Sequence, residues 1–254
     1  MDDQQLLRYS RHLLLDELGP GAQDRFAAGH ALVVGTGGLG NPAAQFLASA
    51  GVGHLTLVDA DSVDLTNLQR QILFAMDDVG TPKVAAAARR LAAVNPQVRV
   101  DGVRQRVGAG ELATLVATAD VVLDCTDNFA TRHAINRACV ALARPLVSGA
   151  AIRFDGQLAV FDTRDAVSPC YHCLFGEGED LEETRCATMG VFAPLVGIVG
   201  SVQAAEALKL LAGIGRSLAG RLLLVDALAM EWRELRVPRD PACPVCARRP
   251  GETP

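Results

Sequence analysis

The sequence has few aromatic residues and no cluster of basic ones. The first feature bears on the fold and the second on the class of partner. Phe, Trp and Tyr together make up 4% of the 254 residues, whereas apolar residues make up 50%. A chain so rich in Ala, Leu and Val favours helices packed on a largely buried parallel sheet. The net charge is −5 and Lys and Arg form no patch, which argues against a nucleic-acid partner.

The sequence also lacks a targeting segment and a clear membrane-spanning stretch. Its first five residues are acidic and polar, unlike a signal peptide. The stretch 189–205 is uncharged, but it contains Pro194 and Gln203 and charged residues follow it, whereas a spanning helix needs about 20 apolar residues. We therefore expect a buried core helix here and a cytoplasmic protein.

Short aliphatic runs alternate with helical segments over the first 150 residues. Five such runs predict strands, at 30–34, 54–58, 98–104, 120–124 and from 145 on. This alternation predicts a Rossmann-like, doubly wound α/β sheet. After residue 150, the runs 157–162 and 221–237 predict longer antiparallel strands. We expect them to extend the same sheet, so that residues 1–254 form one domain with a nucleotide-binding half at 30–150 and a second half at 151–254.

A glycine-rich turn follows the first predicted strand and opens a helix. Its glycines, Gly35, Gly37, Gly38 and Gly40, include the spacing G-x-G-x-x-G, which lets the backbone and the free N–H groups of the helix approach a phosphate. Asp59 ends the next strand, where an acid binds ribose hydroxyls. These features predict a nucleotide site rather than an empty tight turn. They do not separate ATP from NAD, because both contain a ribose and phosphates.

Polar and basic residues further along favour a triphosphate. Asn67 and Arg70 are three residues apart and share one face of a helical turn. Lys83 is predicted in the first turn of a helix that has Thr81 as its N-cap and Pro82 at its first position. A cation is disfavoured there by the helix dipole, and a bound anion would account for it.

Asp127 and Asn128 follow the fourth predicted strand, at the carboxyl edge where ligands of such sheets bind. Arg and Lys facing an acid across one crevice suit a triphosphate with Mg²⁺ better than a pyrophosphate bridge. Each residue also has a plainer interpretation. Arg70 and Lys83 could be surface charges, and Asp127 could serve only as the N-cap of the helix at 129.

An NAD-dependent oxidoreductase is the first alternative function. A short-chain dehydrogenase is expected to carry Tyr-x-x-x-Lys, but Tyr9 and Tyr171 are followed four residues later by Leu13 and Phe175. No replacement acid–base group is evident in the sequence. A zinc-stabilised protein that holds a nucleotide without catalysis is the second alternative.

Four of the seven cysteines form two pairs with metal-binding spacing, Cys170/Cys173 and Cys243/Cys246. Disulfides are rare in the cytosol, whereas four thiolates bind Zn²⁺ in closed, structural sites. We expect a zinc ion that ties the second pair back to the middle of the chain. Unrelated buried thiols are the alternative.

Of the other three cysteines, Cys125 and Cys139 are expected in the core. Cys186 follows an acidic stretch in a segment predicted to be a mobile loop before a helix. A thiol in that position could have a lowered pKa and act as a nucleophile. It could equally be a plain loop residue.

Six ordered motifs extend along the chain: Val-Val-Gly-Thr-Gly-Gly-Leu-Gly at 33–40, Leu-Thr-Leu-Val-Asp-Ala-Asp at 55–61, Thr-Asn-Leu-Gln-Arg-Gln at 66–71, Pro-Lys-Val at 82–84, Asp-Cys-Thr-Asp-Asn at 124–128 and Val-Ser-Gly-Ala-Ala at 147–151. Together they strongly resemble the molybdopterin-synthase adenylyltransferases and the thiamine-pathway ThiF proteins, bacterial relatives of ubiquitin-activating enzymes. The resemblance covers nearly the whole chain, from Arg8 to the last Cys pair.

The resemblance implies ATP with Mg²⁺ as the nucleotide and the C-terminal Gly-Gly carboxylate of a small ubiquitin-fold sulfur carrier as the substrate. By position, it assigns the ribose to Asp59, magnesium to Asp127 and the phosphates to Asn67, Arg70 and Lys83. The zinc cysteines fall at the family's positions, in the half that would bind the carrier.

For two further residues, the resemblance is the only basis for assigning a role. Arg11 resembles an arginine that reaches the ATP of a neighbouring subunit, which implies a homodimer with shared sites. In relatives the cysteine that matches Cys186 can carry sulfur or an acyl group, although not every member needs it.

The chemistry agrees with these assignments. A terminal carboxylate, with a pKa of about 3.5, is already ionised and needs no general base. It needs alignment with the α-phosphate and stabilisation of the leaving pyrophosphate. The expected product is a carrier acyl-adenylate, ahead of thiocarboxylate formation.

The sequence shows no rhodanese segment, so a separate sulfur donor, such as a cysteine desulfurase or rhodanese, is expected. The motifs do not distinguish the molybdopterin pathway from the thiamine pathway.

Overall fold

The computed structural model describes residues 1–177 and 189–248. Its strands are β1 (His30–Val34), β2 (His54–Val58), β3 (Arg99–Val103), β4 (Val121–Asp124), β5 (Leu146–Ile152), β6 (Asp155–Phe161), β7 (Arg221–Asp226) and β8 (Glu231–Arg236). They form one sheet in the order β3-β2-β1-β4-β5-β6-β7-β8. The pairs from β3 through β5 are parallel. The pairs from β5 to β8 are antiparallel.

The helices are α1 (Asp3–Arg8), α2 (Ser10–Leu13), α3 (Gly19–Ala28), α4 (Gly40–Ala50), α5 (Lys83–Val94), α6 (Ala109–Thr118), α7 (Phe129–Ala141), α8 (Tyr171–Leu174) and α9 (Ala193–Ala212). Two short 3₁₀ turns, Leu65–Asn67 and Met76–Asp78, lie in the connection from β2 to α5. The expected alternation of strands and helices is therefore confirmed.

Helices cover both faces of the sheet because alternate side chains of its buried strands point in opposite directions. On β1, Ala31 and Val33 join a core with α4, α5 and α9. Leu32 and Val34 join the core on the other side, with α6 and α7. The chain passes from β1 to β2 and β3 on one side and then returns to β4 on the other. The order of strands therefore reverses between β1 and β4, and a crevice opens at their carboxyl ends.

Two boundaries differ from the sequence-based expectations. The run 221–237 contains two strands, because the Asp226 carboxylate accepts hydrogen bonds from the N–H groups of Leu228 and Ala229 (2.9 and 3.1 Å) and turns the chain. Helix α5 begins one residue later than expected. Pro82 is its N-cap and has extended backbone angles, so Thr81 does not cap it.

Helix α9 is the one helix in the described part of the chain that is long and apolar enough to cross a membrane. Half of its most apolar stretch is buried inside the protein, however. Leu195, Val199 and Ala207 belong to the core that contains β1 and α4. Its position is that of the core helix expected from the sequence.

Asp78 attaches the long connection between β2 and α5 to the body of the protein. Its fully buried carboxylate accepts hydrogen bonds from the Ala75 N–H (2.9 Å) and from Arg90 Nη2 (2.9 Å), and it pairs with Arg89. Burial raises the pKa of Asp78, but the Ala75 N–H and the Arg90 guanidinium outweigh this effect and hold the pKa below its usual value. This connection includes Asn67 and Arg70, so the ion pairs fix a segment of the candidate site.

We expect Asp78→Asn to lower the free energy of unfolding at pH 7 by about 1–3 kcal/mol. A carboxylate with a depressed pKa stabilises the fold above the unfolded pKa of about 3.9, and this contribution is lost as the pH falls through the folded pKa. The difference from the parent should therefore shrink below about pH 4. Urea unfolding across pH measures it.

Asp77→Asn is the matched control, because the Asp77 side chain is 75% exposed and pairs only with Arg90 among the described residues. It should change the stability by less than about 0.5 kcal/mol. Equal losses in the two variants, or a loss at Asp78 that does not depend on pH, would contradict the role given to Asp78.

Candidate functional site

A cavity of about 1270 Å³ opens at the carboxyl edge of the parallel strands. Its inner wall consists of the glycine turn after β1, the ends of β2 and β4, and the connection that precedes α5. From there it continues across β5 to β8, past Gln157, Leu224 and Arg233. The described residues that line it include no histidine and no tyrosine. The cavity is large enough for a nucleotide together with a second, extended ligand.

The glycine turn is shaped by close contact between backbones. Gly35 has φ +91°, and a Cβ there would lie 2.7 Å from the carbonyl oxygen of Cys125. Gly40 packs directly against the Gly35 carbonyl, so a side chain there would also clash. Gly35, Gly37 and Gly38 line the cavity, whereas Gly40 lies behind it in the first turn of α4.

Asp59 stabilises this turn from the end of β2. Its Oδ2 accepts hydrogen bonds from Thr36 N (2.8 Å) and Thr36 Oγ1 (3.0 Å), and its Oδ1 accepts one from Asp61 N (2.9 Å). Asp59 also lines the cavity, as the expected ribose ligand must.

A residue that the sequence did not single out, Asn41, joins the turn to the segment that carries Arg70. Its fully buried side chain donates to the Thr36 carbonyl (2.7 Å) and accepts from Leu73 N (2.9 Å). The sequence offered no signal for this role, because an asparagine in the first turn of a helix is usually a local cap or a surface residue.

Asn67, Arg70 and Lys83 all line the cavity. Asn67 Oδ1 accepts from Asp64 N (3.1 Å), and Arg70 Nη1 donates to the Thr66 carbonyl (3.1 Å). Lys83 is buried, and its Nζ donates to Asp61 Oδ2 (3.0 Å). The exposed Asp61 carboxylate therefore takes the position of the anion that the sequence predicted beside Lys83.

The end of β4 presents one exposed acid. Asp127 lines the cavity, and its carboxylate makes no hydrogen bond or salt bridge to the described residues. Asn128 caps α7, since its Oδ1 accepts from Thr131 N (2.9 Å). The alternative interpretation, that Asp127 serves only as this helix cap, is therefore wrong.

Asp124 and Arg132 form a buried pair behind Asp127. Asp124 accepts hydrogen bonds from Thr126 Oγ1 (2.7 Å) and Ser148 Oγ (2.8 Å). Arg132 Nε lies 4.0 Å from the Asp124 carboxylate, and Arg132 Nη2 donates to the Thr126 carbonyl (2.6 Å). Burial opposes the charge of Arg132, but Asp124 outweighs it and the pKa is raised. Arg132 is therefore a permanent cation in the cavity wall. In the sequence it could not be told from an ordinary arginine on a helix.

The two cysteine pairs meet with a geometry that fits zinc. The Sγ–Sγ distances are 3.7 Å for Cys170–Cys243, 3.9 Å for Cys170–Cys173 and 3.4 Å for Cys173–Cys246. Four sulfurs at about 2.3 Å from Zn²⁺ in a tetrahedron stand about 3.8 Å apart. The Asn136 amide also lies 3.6 Å from the Cys170 sulfur and offers it an N–H group.

The remaining predicted residues lie elsewhere. Arg11 is exposed on α2 and does not line the cavity of its own chain. Cys186 and most of the acidic stretch before it fall outside the described residues. Cys125 and Cys139 are buried, and burial raises the pKa of both thiols, so their expected place in the core is confirmed.

Comparisons with known proteins agree with the resemblance found in the sequence. The ThiF family model matches residues 9–245. The chain is 46% identical over 251 residues to the molybdopterin-synthase adenylyltransferase of Escherichia coli, covering 98% of this chain and 99% of that protein. It is 47% identical over 246 residues to the sulfur carrier protein ThiS adenylyltransferase of the same organism, covering 97% of both. The sulfur carrier protein adenylyltransferase of Thermus thermophilus is 45% identical over 253 residues, covering 98% of this chain and 93% of that protein.

Solved structures share the fold. A crystal structure of Escherichia coli MccB with MccA-N7isoASN has a TM-score of 0.83 and 25% identity, and it covers 94% of this chain and 74% of that one. A structure of the same protein with ATP has a TM-score of 0.79 at 24% identity, with 90% and 70% covered.

Purified protein is expected to contain about one Zn²⁺ per chain, because the four thiols match a closed tetrahedral site. Cys246→Ala should lose most of the metal and lower the melting temperature by about 5–10 °C. Metal analysis and thermal melts measure both effects. Cys139→Ala is the control, since it removes a buried thiol away from the cluster, and it should keep its zinc. Full zinc content in Cys246→Ala would exclude the proposed ligand set.

Proposed function

The chain belongs to the ThiF family, and we propose that it is an ATP-dependent adenylyltransferase that activates the C-terminal Gly-Gly carboxylate of a small ubiquitin-fold sulfur carrier. The products would be the carrier acyl-adenylate and pyrophosphate, ahead of thiocarboxylate formation. The observation that carries the proposal is the set of residues around one cavity: an acid that holds the glycine turn, the cations Arg70 and Lys83, and the Asp127 carboxylate, which has no partner among the described residues. No histidine–acid pair accompanies them among the described lining residues.

The inner part of the cavity would hold ATP. Asp59 is suited to bind the ribose hydroxyls, since it ends the strand beside the glycine turn. The turn and the first N–H groups of α4 would bind the phosphate chain, together with Asn67, Arg70 and Lys83. Lys83 would exchange Asp61 for a phosphate oxygen. Because Asp61 is exposed, it can return to water when the nucleotide binds.

The two metals would have different tasks. Asp127 lies at the carboxyl edge of the sheet and its carboxylate makes no hydrogen bond or salt bridge to the described residues, so it fits a magnesium ion, and Asn128 lies next to it. That ion would neutralise charge on the phosphates. The four cysteines fit zinc as a structural ion, because the protein occupies all four positions and leaves none for a substrate.

The residues act on the reaction by alignment and electrostatics. The carboxylate of the carrier attacks the α-phosphorus, the bond from that phosphorus to the bridging oxygen breaks, and its electron pair leaves with pyrophosphate. No proton has to move, which agrees with a cavity whose described lining lacks histidine. The cations stabilise the charge that develops on pyrophosphate.

The outer part of the cavity would receive the end of the carrier. It crosses β6, β7 and β8 and is open along the sheet. A flexible Gly-Gly tail can lie in such a channel because it has no side chains to accommodate. We therefore place carrier binding in the half 151–254 and nucleotide binding in the half 30–150 of a single domain over 1–254. A homodimer is also proposed, with Arg11 completing the site of the partner.

The rival functions have less support. An NAD-dependent oxidoreductase would need a proton-transfer group near the nicotinamide, and the described lining offers neither histidine nor tyrosine. A non-catalytic nucleotide protein would not need an acid without a partner among the described residues and two cations in the lining of the same cavity. We propose a cytoplasmic enzyme served by a separate sulfur donor. The relatives named for molybdopterin and for ThiS are 46% and 47% identical, a difference too small to choose the pathway.

Pyrophosphate exchange into ATP tests the proposal. The parent should exchange only when a carrier ending in Gly-Gly is present, and Arg70→Ala and Lys83→Ala should each lower the rate about 100-fold or more, because each removes a cation from the leaving group. Lys209→Ala is the control, since Lys209 is the other lysine of the chain and binds Glu206 and the Arg216 carbonyl instead. Exchange without a carrier, or none with any carrier, would refute the proposal.

Mixing two inactive variants tests the shared site. If Arg11 acts across the dimer, an Arg11→Ala chain retains its own Arg70 and can receive Arg11 from an Arg70→Ala partner. Random reassociation of equal amounts should then restore about a quarter of the parental activity, because half of the dimers are mixed and each has one complete site. Activity of Arg11→Ala alone, or no recovery in dimers shown to be mixed, would place Arg11 outside the site.

A further inference from the structure

Gln157 presents a polar side chain to the outer part of the cavity, among neighbours that offer it no partner. It lies on β6, lines the cavity and is partly buried. Its amide makes no hydrogen bond to the described residues. The residues paired with it in register on the two adjacent strands, Ala150 and Leu224, also line the cavity and are apolar. The carboxamide therefore stands between two apolar side chains, with its N–H groups and its oxygen available to a ligand.

The backbone beneath this part of the cavity is already paired. Strand β6 has β5 on one side and β7 on the other, and β7 pairs in turn with β8. The N–H and C=O groups of interior strands bond to the neighbouring strands, so they are not available to a ligand. The sheet can therefore hydrogen-bond a ligand here only through side chains.

The proposed ligand offers little except its backbone. A Gly-Gly tail has no side chains, so a protein can recognise it only by its peptide groups and its terminal carboxylate. In an extended segment the N–H and the C=O of one residue point to the same side, as the hydrogen-bonded pairs of an antiparallel ladder show. A carboxamide contains a donor and an acceptor side by side, whereas an arginine side chain has donors only. Glutamine can therefore bind both groups of one tail residue at once.

The position of Gln157 fits a tail that crosses the strands toward the nucleotide. Only β5 separates β6 from β4, so the amide lies about 10 Å across the sheet from the end of β4. Asp127, which follows β4, lines the nucleotide part of the cavity. An extended chain covers about 3.3–3.6 Å per residue, so about three residues span this distance. The terminal carboxylate thus reaches the nucleotide when the amide holds roughly the third residue from the end.

Building on the proposed function, we propose that Gln157 is a further substrate-binding residue, whose side-chain amide hydrogen-bonds the N–H and the C=O of one residue in the C-terminal tail of the carrier. The contact depends on the backbone of the tail and not on a particular side chain. It keeps the tail extended across the sheet, with its carboxylate directed toward the α-phosphate.

Gln157→Met tests this role, because methionine has a similar length and cannot replace either hydrogen bond. In carrier-dependent pyrophosphate exchange, the KM for the carrier should rise by about 10–100-fold, since two hydrogen bonds are lost. The amide lies away from the reacting phosphorus, so its contacts are equal in the ground state and the transition state. The kcat should therefore change by less than about 3-fold. The KM for ATP and the increase in melting temperature caused by Mg-ATP should not change.

Gln97→Met is the matched control. Gln97 is exposed in the turn before β3, at the opposite edge of the sheet, and does not line the cavity. Its replacement should leave both KM values and the kcat unchanged. An unchanged KM for the carrier in Gln157→Met would overturn the proposal. An equal rise in the KM for ATP would also overturn it, because it would show a general structural role.

Carriers with single ester bonds in the tail give a second, independent readout. Replacing one peptide bond with an ester removes one N–H, and each of the last four bonds is replaced in turn by semisynthesis. At one position the ester should raise the KM of the parent enzyme by about 5-fold or more and should raise that of Gln157→Met no further. Esters that affect parent and variant by equal factors at every position, or that have no effect on the parent, would overturn the backbone contact.

The failure of the proposed function is distinguishable from the failure of this one. Calorimetry with a non-hydrolysable ATP analogue measures binding of recombinant thiamine-pathway and molybdopterin-pathway carriers without turnover. If the parent binds a carrier but shows no exchange, the adenylyltransferase proposal fails, and weaker binding by Gln157→Met would still support the tail contact. Equal binding by parent and variant would overturn that contact. A parent that binds neither carrier would overturn both proposals.

Discussion

The contact between Gly35 and the Cys125 carbonyl sets the geometry on which the site depends. Strands β1 and β4 are neighbours, so the chain leaving β1 must pass directly over the end of β4. It can do so only without a side chain, since a Cβ would come within 2.7 Å of that oxygen. The tight passage directs the start of α4 toward the crevice between the two strands. Asp59 then holds the turn from β2 through both donors of Thr36.

A second group of buried polar contacts joins the antiparallel strands to this crevice. Gln203 on α9 donates to the carbonyls of Asp124 (2.8 Å) and Val147 (3.2 Å), and it fills the space that Gly149 leaves free. Asp124 in turn accepts a hydrogen bond from Ser148 on β5. These contacts hold β4, β5 and α9 together where the sheet changes from parallel to antiparallel. They therefore join the part of the cavity that crosses β6 to β8 to the part at the glycine turn.

Local signals in the sequence predicted much of this structure. The aliphatic strand periods, the glycine spacing and the cysteine pairs each depend on residues close together in the chain, and each prediction of an element had its counterpart in the fold. The turn at 227–230 was missed because it contains neither glycine nor proline, and the Asp226 carboxylate stabilises it instead. The start of α5 was misplaced because Pro82 has the extended angles that a cap needs.

The parts of the site that could not be predicted depend on contacts between distant segments. In the sequence, Asp61 is only the last residue of a strand-end motif. The fold brings its carboxylate to the Lys83 side chain. Asp124 and Arg132 look like a strand terminus and a helix surface residue, yet the sheet buries them together. Asn41 likewise makes its two side-chain hydrogen bonds only when the fold brings the glycine turn to the connection before α5. No spacing rule describes such pairs, because the tertiary fold alone determines which side chains become neighbours.

The cysteine cluster has a consequence for how the protein is made. Cys173 and Cys243 are separated by 70 residues, so the ribosome releases one half of the site well before the other. At about 5–20 residues per second, the first two thiols wait roughly 4–14 s for their partners. During that interval β7, β8 and α9 are themselves still being synthesised. A metal bound by all four sulfurs could therefore be captured only after the last strand, β8, has been synthesised.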